Sequence, residues 1–394
     1  MAGEWLAYGE LGLAAIGFAP FAIHRWSCGN WVKQKLECPE DLSGLDMTIL
    51  LPVWNEELII EKKLANLAKQ DFKASLVVVD SASDDSTLLK AKSWLEDFPE
   101  AFESYKILTM PKRKGKTAAV GLALDEMAET KGIILMTDAD ATLMPGALTR
   151  VNRWFSNQQI GAVGGTPQRE GDLDQENDHR EMYTLLRVGE SGHDSTPFLE
   201  GSLIAWRAGL VSSSDLYYSS NADDAQIATA ARLAGFRSIQ DSELKFSDQM
   251  PLKAKGQRRQ KVRRAQGLIR LLARKRKHWF SKREGRFAKI LRRNAWMHIL
   301  SPLAIATGAI LAIMRNIAYL PESPLMLALS AIEVYCLTSW VLARVNKSFF
   351  GIKTAGVIMC GLENLLVALI ISGQGKSLHM WDQHVDVREE LSKR

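Results

Sequence analysis

The sequence predicts an α/β domain with a mostly parallel sheet, followed by an α-helical membrane domain. Short apolar runs that end in polar residues alternate with helical patterns between residues 46 and 150, which is typical of a parallel sheet. Basic residues are concentrated further along, and apolar stretches of about 20 residues follow them. The expected parts are an N-terminal membrane span or interfacial helix with a linker (1–45), the α/β domain (46–252), basic amphipathic interface helices (253–293), three transmembrane helices (294–372) and a C-terminal tail (373–394).

Four short apolar runs predict buried strands, in chain order "MTILLPV" (47–53), "SLVVVD" (75–80), "YKILTM" (105–110) and "GIILMTD" (132–138). Helical patterns lie between them, with the apolar face of Ile60, Leu64 and Leu67 as one example and a helix starting near Thr117 as another. This alternation predicts βαβ units, whose strands run parallel. Parallel sheets bind ligands beyond the carboxyl ends of their strands.

Polar residues follow the ends of all four predicted strands. They are Asn55 with Glu56, Asp80, Lys114 to Lys116, and Asp138 with Asp140. Any one of them is explained by turn or helix-cap chemistry. Four sets at one rim of a sheet indicate a binding site instead.

The chemistry of these residues indicates a nucleotide-diphosphate pocket. If the chain stays extended, Asp138 and Asp140 point to the same side, and a divalent cation offsets their repulsion. Lys114 and Lys116 flank a glycine at a loop-to-helix start, where phosphate oxygens bind well. Asp80 is placed to accept hydrogen bonds from a base N–H.

The basic segment, residues 253–293, contains 18 Lys or Arg and one acid, Glu284, for a net charge of +17. Because the whole chain carries +5, the rest of it carries −12. Such a run binds phosphate-rich surfaces, either nucleic acid or anionic lipid. The apolar stretches at 296–314, 325–343 and 354–371 favour a membrane with anionic lipids, so no nucleic-acid partner is expected.

An N-terminal stretch, 5–23, is also apolar apart from Glu10, and it either spans a membrane or lies on its surface, with spanning favoured. Basic residues follow this stretch, precede the second one and separate the last two. The positive-inside rule then places residues 24–295 in the cytoplasm. Glu10, Glu333 and Glu363 are either protonated and bonded to a neighbouring helix, or a polar lining for an acceptor.

Eight motifs in order resemble those of the family 2 glycosyltransferases, which have the GT-A fold. The resemblance covers about residues 46–270, through "LPVWNEE", "VVVDSASDDST", "KRKGKTAA", "TDAD", "GGTPQRE", "FLEGSLIAWRAGL", "ADDAQIATAARLAG" and "QKVRRAQG". It implies a metal-dependent, inverting glycosyltransferase that uses Mg²⁺ or Mn²⁺ and a nucleotide-diphosphate sugar, with uridine favoured over guanosine.

The resemblance also implies roles for individual residues. Asp140, with Asp138, corresponds to the metal-binding DxD motif, and Asp224 to the catalytic base. Gln260 and Arg263 correspond to residues that approach the diphosphate. The donor residues are Pro52, Asn55, Glu56, Asp80, Lys114, Lys116 and Asp138. The acceptor residues are Gln168, Glu200, Gly201 and Asp223.

One position departs from the family pattern. Membrane polysaccharide synthases carry Gln-x-x-Arg-Trp, and here Gln260 and Arg263 are followed by Arg264. Without the aromatic ring that stacks on a growing chain, transfer of one sugar to a lipid or lipid-linked glycan is favoured over processive synthesis. A polyprenyl-phosphate glycosyltransferase is an alternative, and so is a non-catalytic sensor, although a sensor needs no base.

Several of these residues also have a purely structural interpretation. Asp224 is a candidate helix cap. The apolar stripe of Val262, Ala265, Ile269 and Leu272 suits a helix lying at the membrane interface. The C-terminal tail, with His379, Trp381 and His384, reads as a surface segment.

Overall fold

The computed structural model describes residues 2–168, 174–248, 251, 254–345, 347, 351–380 and 385–393. Within them, eight strands form one sheet. They are β1 (Met47–Val53), β2 (Ser75–Asp80), β3 (Tyr105–Thr109), β4 (Ile133–Thr137), β5 (Ala141–Leu143), β6 (Ile160–Pro167), β7 (Leu203–Arg207) and β8 (Arg237–Asp248).

The described helices lie before, between and after these strands. They are α1 (Ala2–Trp31), α2 (Ile60–Ala68), α3 (Thr87–Asp97), α4 (Lys116–Glu126), α5 (Ala147–Trp154), α6 (Asp174–His193), α7 (Asp223–Leu233), α8 (Ala254–Arg274), α9 (Gly285–Ala295), α10 (Ser301–Ala318), α11 (Pro324–Arg344), α12 (Lys353–Gly373) and α13 (Val385–Lys393). A π-helical turn, Trp296–Leu300, joins α9 to α10.

The strand order is β3-β2-β1-β4-β7-β6-β8-β5. Strands β1 to β4 run parallel, β7 is antiparallel to both of its neighbours, and β6 is parallel to β8. The predicted fold class is therefore confirmed as an α/β domain with the mostly parallel mixed sheet of the GT-A fold. The first two predicted strands have the predicted bounds, and the next two end one residue early.

Both faces of the central strands are buried. Leu51 and Leu135 belong to one apolar core, whereas the neighbouring Leu50 and Ile134 belong to the other. This alternation follows from the two-residue period of a strand. Because helices cover both faces, the open rim at the carboxyl ends of β1, β2 and β4 is the place where polar side chains gather.

Four helical stretches are long and apolar enough to cross a membrane, namely Gly3–Gln34, Gly285–Ala318, Pro324–Arg344 and Lys353–Gly373. The first of them packs along α10. A Cβ atom on Gly17 would lie only 2.4 Å from Cδ1 of Ile305, so the absence of a side chain permits this close approach. The structure supports membrane association through these four helices.

The carboxylates in these helices face arginines. Arg315 is fully buried, its Nε lies 3.1 Å from Oε2 of Glu10, and its Nη2 contacts Glu333. Glu363 pairs with Arg258 of α8 at 2.5 Å. Neither sequence interpretation, a protonated carboxyl or an acceptor lining, included these arginine partners.

The apolar stripe on α8 packs against another helix, because Val262, Ala265 and Ile269 are buried with Ala368 of α12. The C-terminal tail is not a simple surface segment, because Arg388 of α13 is only 3% exposed. Of the residues singled out there, Trp381 and His384 lie outside the described residues.

Candidate active site

The rim begins at the end of β1. Asn55 adopts a left-handed conformation, with φ of 55°, which asparagine tolerates better than most residues. Its side-chain amide donates to Oδ1 of Asp84 at 2.6 Å and its side-chain oxygen accepts from the Asp84 N–H at 3.0 Å. Pro52 is buried within β1 beside Val79, one residue before the end of the strand.

The end of β2 carries Asp80, which is 4% exposed. Both of its carboxylate oxygens lie within hydrogen-bond distance of the Ser83 N–H, at 3.3 and 3.2 Å. The loop that follows β2 therefore folds back over Asp80. This closes the side of the rim where the sequence predicts the nucleotide base.

The third part of the rim is the loop before α4. Gly115 has a φ of +90°, a conformation that favours glycine, and α4 begins at the next residue. Lys114 is exposed, whereas Lys116 points inward. The Arg113 guanidinium stacks on Trp54 at 3.4 Å from the ring centroid and ties this loop to the end of β1.

The two aspartates after β4 do not continue the strand. The N–H of Ala141 donates to the carbonyl of Asp138 at 3.2 Å, so the chain turns before it enters β5. The extended conformation considered from the sequence is therefore absent, and the two carboxylates face different cations. Lys116 approaches Asp138, and Arg388 approaches Asp140.

A buried lysine, Lys63, stabilises this turn through two hydrogen bonds. Lys63 Nζ donates to the Thr137 hydroxyl at 2.8 Å and to the Ala141 carbonyl at 2.5 Å. Burial lowers the pKa of Lys63 to about 7, although the two aspartates oppose this effect. Sequence reasoning missed it, and the available signal was a lysine within the apolar face formed by Ile60, Leu64 and Leu67.

Lys116 joins the DxD turn to the start of α7. Its Nζ lies 2.5 Å from Oδ1 of Asp138 and 3.4 Å from Oδ2 of Asp223. Burial lowers the pKa of Lys116, but the neighbouring carboxylates, with Asp138 first, raise it by more. The site therefore holds a charged ammonium between two acids from different parts of the chain.

Asp224 follows on the first turn of α7. The helix cap position is taken by Ala222, which has a φ of +69°, so Asp224 is not the cap considered from the sequence. Burial, together with the carboxylate of Asp223, raises the pKa of Asp224 to about 6. A carboxyl group with this pKa is ionised at neutral pH and still basic enough to accept a proton in a reaction.

Gly201 leaves open the space between Asp224 and Lys116. A Cβ atom at this position would lie 3.4 Å from both Oδ2 of Asp224 and Nζ of Lys116. A larger side chain would fill the gap between these two groups. The neighbouring Glu200 points elsewhere and contacts Nη1 of Arg187.

A cavity bordered by Glu200, the residue before Gly201, opens between the α/β domain and α12. Residues from α6, α8, α12 and the π-helical turn line it, including Arg187, Glu200, Gln260, Arg264, His298 and Leu365. Of the predicted catalytic and acceptor residues, Glu200 and Gln260 line this cavity, whereas Gln168, Gly201, Asp223, Asp224 and Arg263 do not. Gln168 is exposed at the end of β6, and the Arg263 carbonyl accepts a hydrogen bond from Asn221 next to α7.

The other end of the rim is covered by a residue that sequence reasoning missed. Arg388 donates to both oxygens of Glu56, at 2.9 and 2.7 Å, and its Nη1 lies 3.0 Å from Oδ2 of Asp140. No local pattern signals this contact, because Arg388 lies 332 residues from Glu56.

The site fits a divalent cation that is shared with a ligand. Across the described parts of the chain, no group of three or more His, Cys, Asp or Glu side chains converges as a closed metal cage. Mg²⁺ and similar cations usually take one or two carboxylates together with water and substrate phosphates. Asp140 and Asp138 provide that donor set, and their present cationic neighbours show that the position favours positive charge.

The sequence comparison agrees with this geometry. Residues 48–212 match the family model described as glycosyl transferase family 2. The protein is a glycosyltransferase. The matched segment includes the DxD turn, Lys116 and Gly201. No curated protein sequence matches the chain.

Solved structures that resemble this glycosyltransferase also cover residues outside the matched segment. The mannosyltransferase PcManGT from Pyrobaculum calidifontis, in complex with GDP-Man and Mn²⁺, has a TM-score of 0.74 and 25% identity and covers 93% of this chain and 99% of that one. Staphylococcal (S. aureus) TarS 1–349 has a TM-score of 0.46 and 14% identity, covering 84% of this chain and 92% of that one. A likeness as weak as the second says nothing about activity.

Proposed function

We propose that this glycosyltransferase moves one sugar from a nucleotide-diphosphate sugar to a hydroxyl of a lipid or lipid-linked glycan, with inversion at the anomeric carbon. One observation carries the proposal. The ionised Asp224 and the charged Lys116 flank the open space at Gly201, and the adjacent Glu200 lines a cavity that residues of α12 also line. A base and a cation on either side of a reaction space suit an acceptor hydroxyl and a leaving diphosphate.

The donor side of the site consists of the rim from β1 to β4. Asp80 and the loop over it are suited to a nucleoside, because a buried carboxylate accepts hydrogen bonds from a base or ribose. Asp140, with Asp138, would hold Mg²⁺ or Mn²⁺, which supplies positive charge to the diphosphate when bound. The sequence favours a uridine nucleotide, whereas PcManGT was solved with GDP-Man. Because the similarity to PcManGT extends over 93% of this chain, GDP-mannose is the donor that we propose first.

Different residues would receive the proton and stabilise the leaving group, namely Asp224 and Lys116. Asp224 accepts the proton of the acceptor hydroxyl while that oxygen attacks the anomeric carbon. The bond between that carbon and the diphosphate oxygen breaks at the same time, and the negative charge develops toward Lys116. Arg187, whose Nε has no hydrogen-bond partner among the described residues, lies close enough to Asp224 to help keep it ionised.

The cavity supports an acceptor that approaches from a membrane. Leu365 and Asn364 of α12 line it together with Arg264 and Lys261 of α8. An apolar side chain near basic groups suits a lipid carrier whose head group bears negative charge. Arg264 lines this cavity where a polysaccharide synthase has tryptophan, which favours transfer of one sugar over processive synthesis.

The membrane arrangement belongs to the same proposal. The basic segment 253–293 borders the second of the four apolar helical stretches, and the positive-inside rule then puts the catalytic domain in the cytoplasm. Anionic lipids would add roughly 1 kcal/mol for each Lys or Arg near the surface. Labelling of single cysteines in the α10–α11 turn of intact cells tests this orientation.

The test of the function is a donor panel with the purified full-length protein in nanodiscs made from native lipids. GDP-mannose and a set of UDP-sugars are supplied separately, and lipids are analysed by mass spectrometry for the added sugar. We expect product with one donor, none with EDTA, and recovery with Mn²⁺ or Mg²⁺. Asp140→Asn is expected to remove turnover. Full activity in EDTA would rule out the metal role, and hydrolysis of the donor without glycosylated lipid would rule out the lipid acceptor.

A further inference from the structure

The chain after α12 runs along the donor side of the catalytic domain. Gln266 of α8 holds it from both directions, because its side-chain amide donates to the Lys376 carbonyl at 3.0 Å and its side-chain oxygen accepts from the Leu378 N–H at 2.8 Å. The Ser377 hydroxyl donates to the Ser219 carbonyl at 2.6 Å. These contacts fix the path of the tail between α8 and the loop before α7.

The tail then crosses the loop that the sequence assigns to phosphate binding. A Cβ atom on Gly115 would lie 3.1 Å from the carbonyl oxygen of His379. The backbone of the tail therefore rests directly against the backbone of this loop. A phosphate that approaches the N–H groups before α4 from this side meets the tail first.

Helix α13 seats the end of the tail on the catalytic domain. Val387 is 1% exposed, and Leu391 packs against the core between the sheet and α2. The exposed Lys62 of α2 donates to the carbonyls of Leu391 and Ser392, at 3.1 and 2.7 Å. A lysine at the carbonyl end of a helix stabilises it.

Arg388 is the residue that α13 delivers into the site. Its guanidinium forms two hydrogen bonds to Glu56 and an ion pair with Asp140, and 3% of its side chain is exposed. Arginine thus provides positive charge at the carboxylate that is the candidate metal ligand. A divalent cation on Asp140 would be repelled by a guanidinium 3.0 Å from the same oxygen.

We propose that residues 376–380 together with α13 form an autoinhibitory strap in which Arg388 occupies the cation position at Asp140 and α13 covers the nucleotide side of the rim. Loading of a divalent cation with a nucleoside diphosphate then requires Arg388 to leave Asp140 and α13 to lift from α2. This inference rests on the proposed donor site. Donor binding would then be open to regulation. Any partner that binds the released α13 would favour the state in which Asp140 is free to bind a cation.

The first experiment measures Mn²⁺ binding to full-length protein in detergent by electron paramagnetic resonance, with and without GDP or UDP. Arg388→Gln removes the competing charge and keeps most of the side-chain volume. We expect it to bind Mn²⁺ at least tenfold more tightly than the parent protein. Lys393→Ala, a charge removed at an exposed position of the same helix, is the matched control and is expected to match the parent.

A second variant separates release of the strap from the loss of a local charge. Lys62→Ala leaves Glu56, Asp140 and Arg388 intact and removes only the hydrogen bonds between α2 and the end of α13. We expect it to tighten Mn²⁺ binding in the same direction, by a smaller factor. This variant also keeps the test valid if Arg388→Gln fails to fold, which its thermal midpoint reveals.

Hydrogen exchange gives a direct reading of the strap. Amides of residues 385–393 are expected to exchange faster when Mn²⁺ and nucleoside diphosphate are added, and Asp140→Asn is expected to abolish the change. Weaker Mn²⁺ or nucleotide binding in Arg388→Gln would overturn the proposal and make Arg388 a donor ligand. Unchanged binding in both variants, or unchanged exchange, would also overturn it. Mn²⁺ bound by no variant and no parent would instead refute the donor site itself.

Discussion

Lys116 and Asp138 form an ion pair in which Nζ lies 2.5 Å from Oδ1. The pair joins the first residue of α4 to the residue after β4, and Asp223 brings the start of α7 to the same ammonium. Three elements far apart in sequence are therefore held at one point of the rim. A lysine that the sequence assigns only to phosphate binding also organises the carboxylates.

The first prediction concerns this lysine. Lys116→Met is expected to weaken nucleoside-diphosphate binding by about 10- to 100-fold, because a hydrogen bond to a charged group contributes about 1.5–3 kcal/mol. Calorimetry with GDP and UDP measures the change. Lys114→Met removes an exposed lysine two residues earlier and is the control. Equal losses in both variants would mean that general charge, rather than the inward position of Lys116, governs affinity.

The second prediction separates the two enzyme mechanisms through Asp224. A hydroxyl acceptor needs a base, and general-base catalysis typically contributes about 10² to 10⁴ in rate. Asp224→Asn is expected to keep donor binding and to lower kcat at least about a hundredfold. Single-turnover transfer to the identified acceptor measures this. Nearly normal transfer would favour the polyprenyl-phosphate acceptor, which is already ionised, and loss of donor binding would place Asp224 in the nucleotide or metal site.

The third prediction is the pH dependence of the same residue. Because the pKa of Asp224 is raised to about 6, the carboxylate is protonated and inactive as a base below that pH. The value of kcat/KM is therefore expected to rise tenfold per pH unit below about 6 and to level off above it. Asp224→Asn should lose this rise while retaining residual activity. A flat profile from pH 5 to 7 in the parent protein would contradict the assignment of Asp224 as the base.

The fourth prediction concerns the space at Gly201. Leucine there would extend between Asp224 and Lys116, so Gly201→Leu is expected to abolish transfer while the protein remains folded. Alanine adds only the Cβ atom, which lies at ordinary contact distance from both groups, so Gly201→Ala is expected to keep most activity. Transfer rates and thermal midpoints of both variants are compared. Full activity in Gly201→Leu would show that the acceptor reaches Asp224 by another route.

The fifth prediction concerns the buried arginine of α10. Arg315→Leu leaves Glu10 and Glu333 without their cation, and removing one partner of a buried pair costs about 3–5 kcal/mol. The thermal midpoint in detergent is expected to fall clearly. Arg344→Leu is the control, because Arg344 is 40% exposed and lies 3.8 Å from Glu363. Equal midpoints for the two variants would show that the buried pairs contribute little.

The sequence predicted those features that depend on local pattern. The bounds of β1 and β2 follow from apolar runs that end in polar residues, and Asp80 and Asp138 lie where those runs predict. Residues whose partners lie far along the chain were missed. Arg388 reaches Glu56 across 332 positions and Arg315 reaches Glu10 across 305, distances at which neither periodicity nor motif spacing carries information.

The sequence did not predict the partner of the α8 stripe, for a related reason. Val262 and Ile269 have the spacing of an amphipathic helix, and that spacing is the same whether the apolar face meets lipid or another helix. The partner, α12, follows about 100 residues later. Only the packed structure distinguishes the two environments.

The separation of Glu10 from Arg315 has a consequence for the order of events during synthesis. At about 5–20 residues per second, a ribosome needs roughly 15 to 60 s to make the 305 residues between them. Another contact of α1 becomes possible earlier, because His24 pairs with Glu190, only 166 residues further along. We infer that the nascent catalytic domain captures the C-terminal end of α1 before α10 is made. Site-specific crosslinking of stalled chains checks this, and a His24–Glu190 contact that appears only after Arg315 has emerged would contradict it.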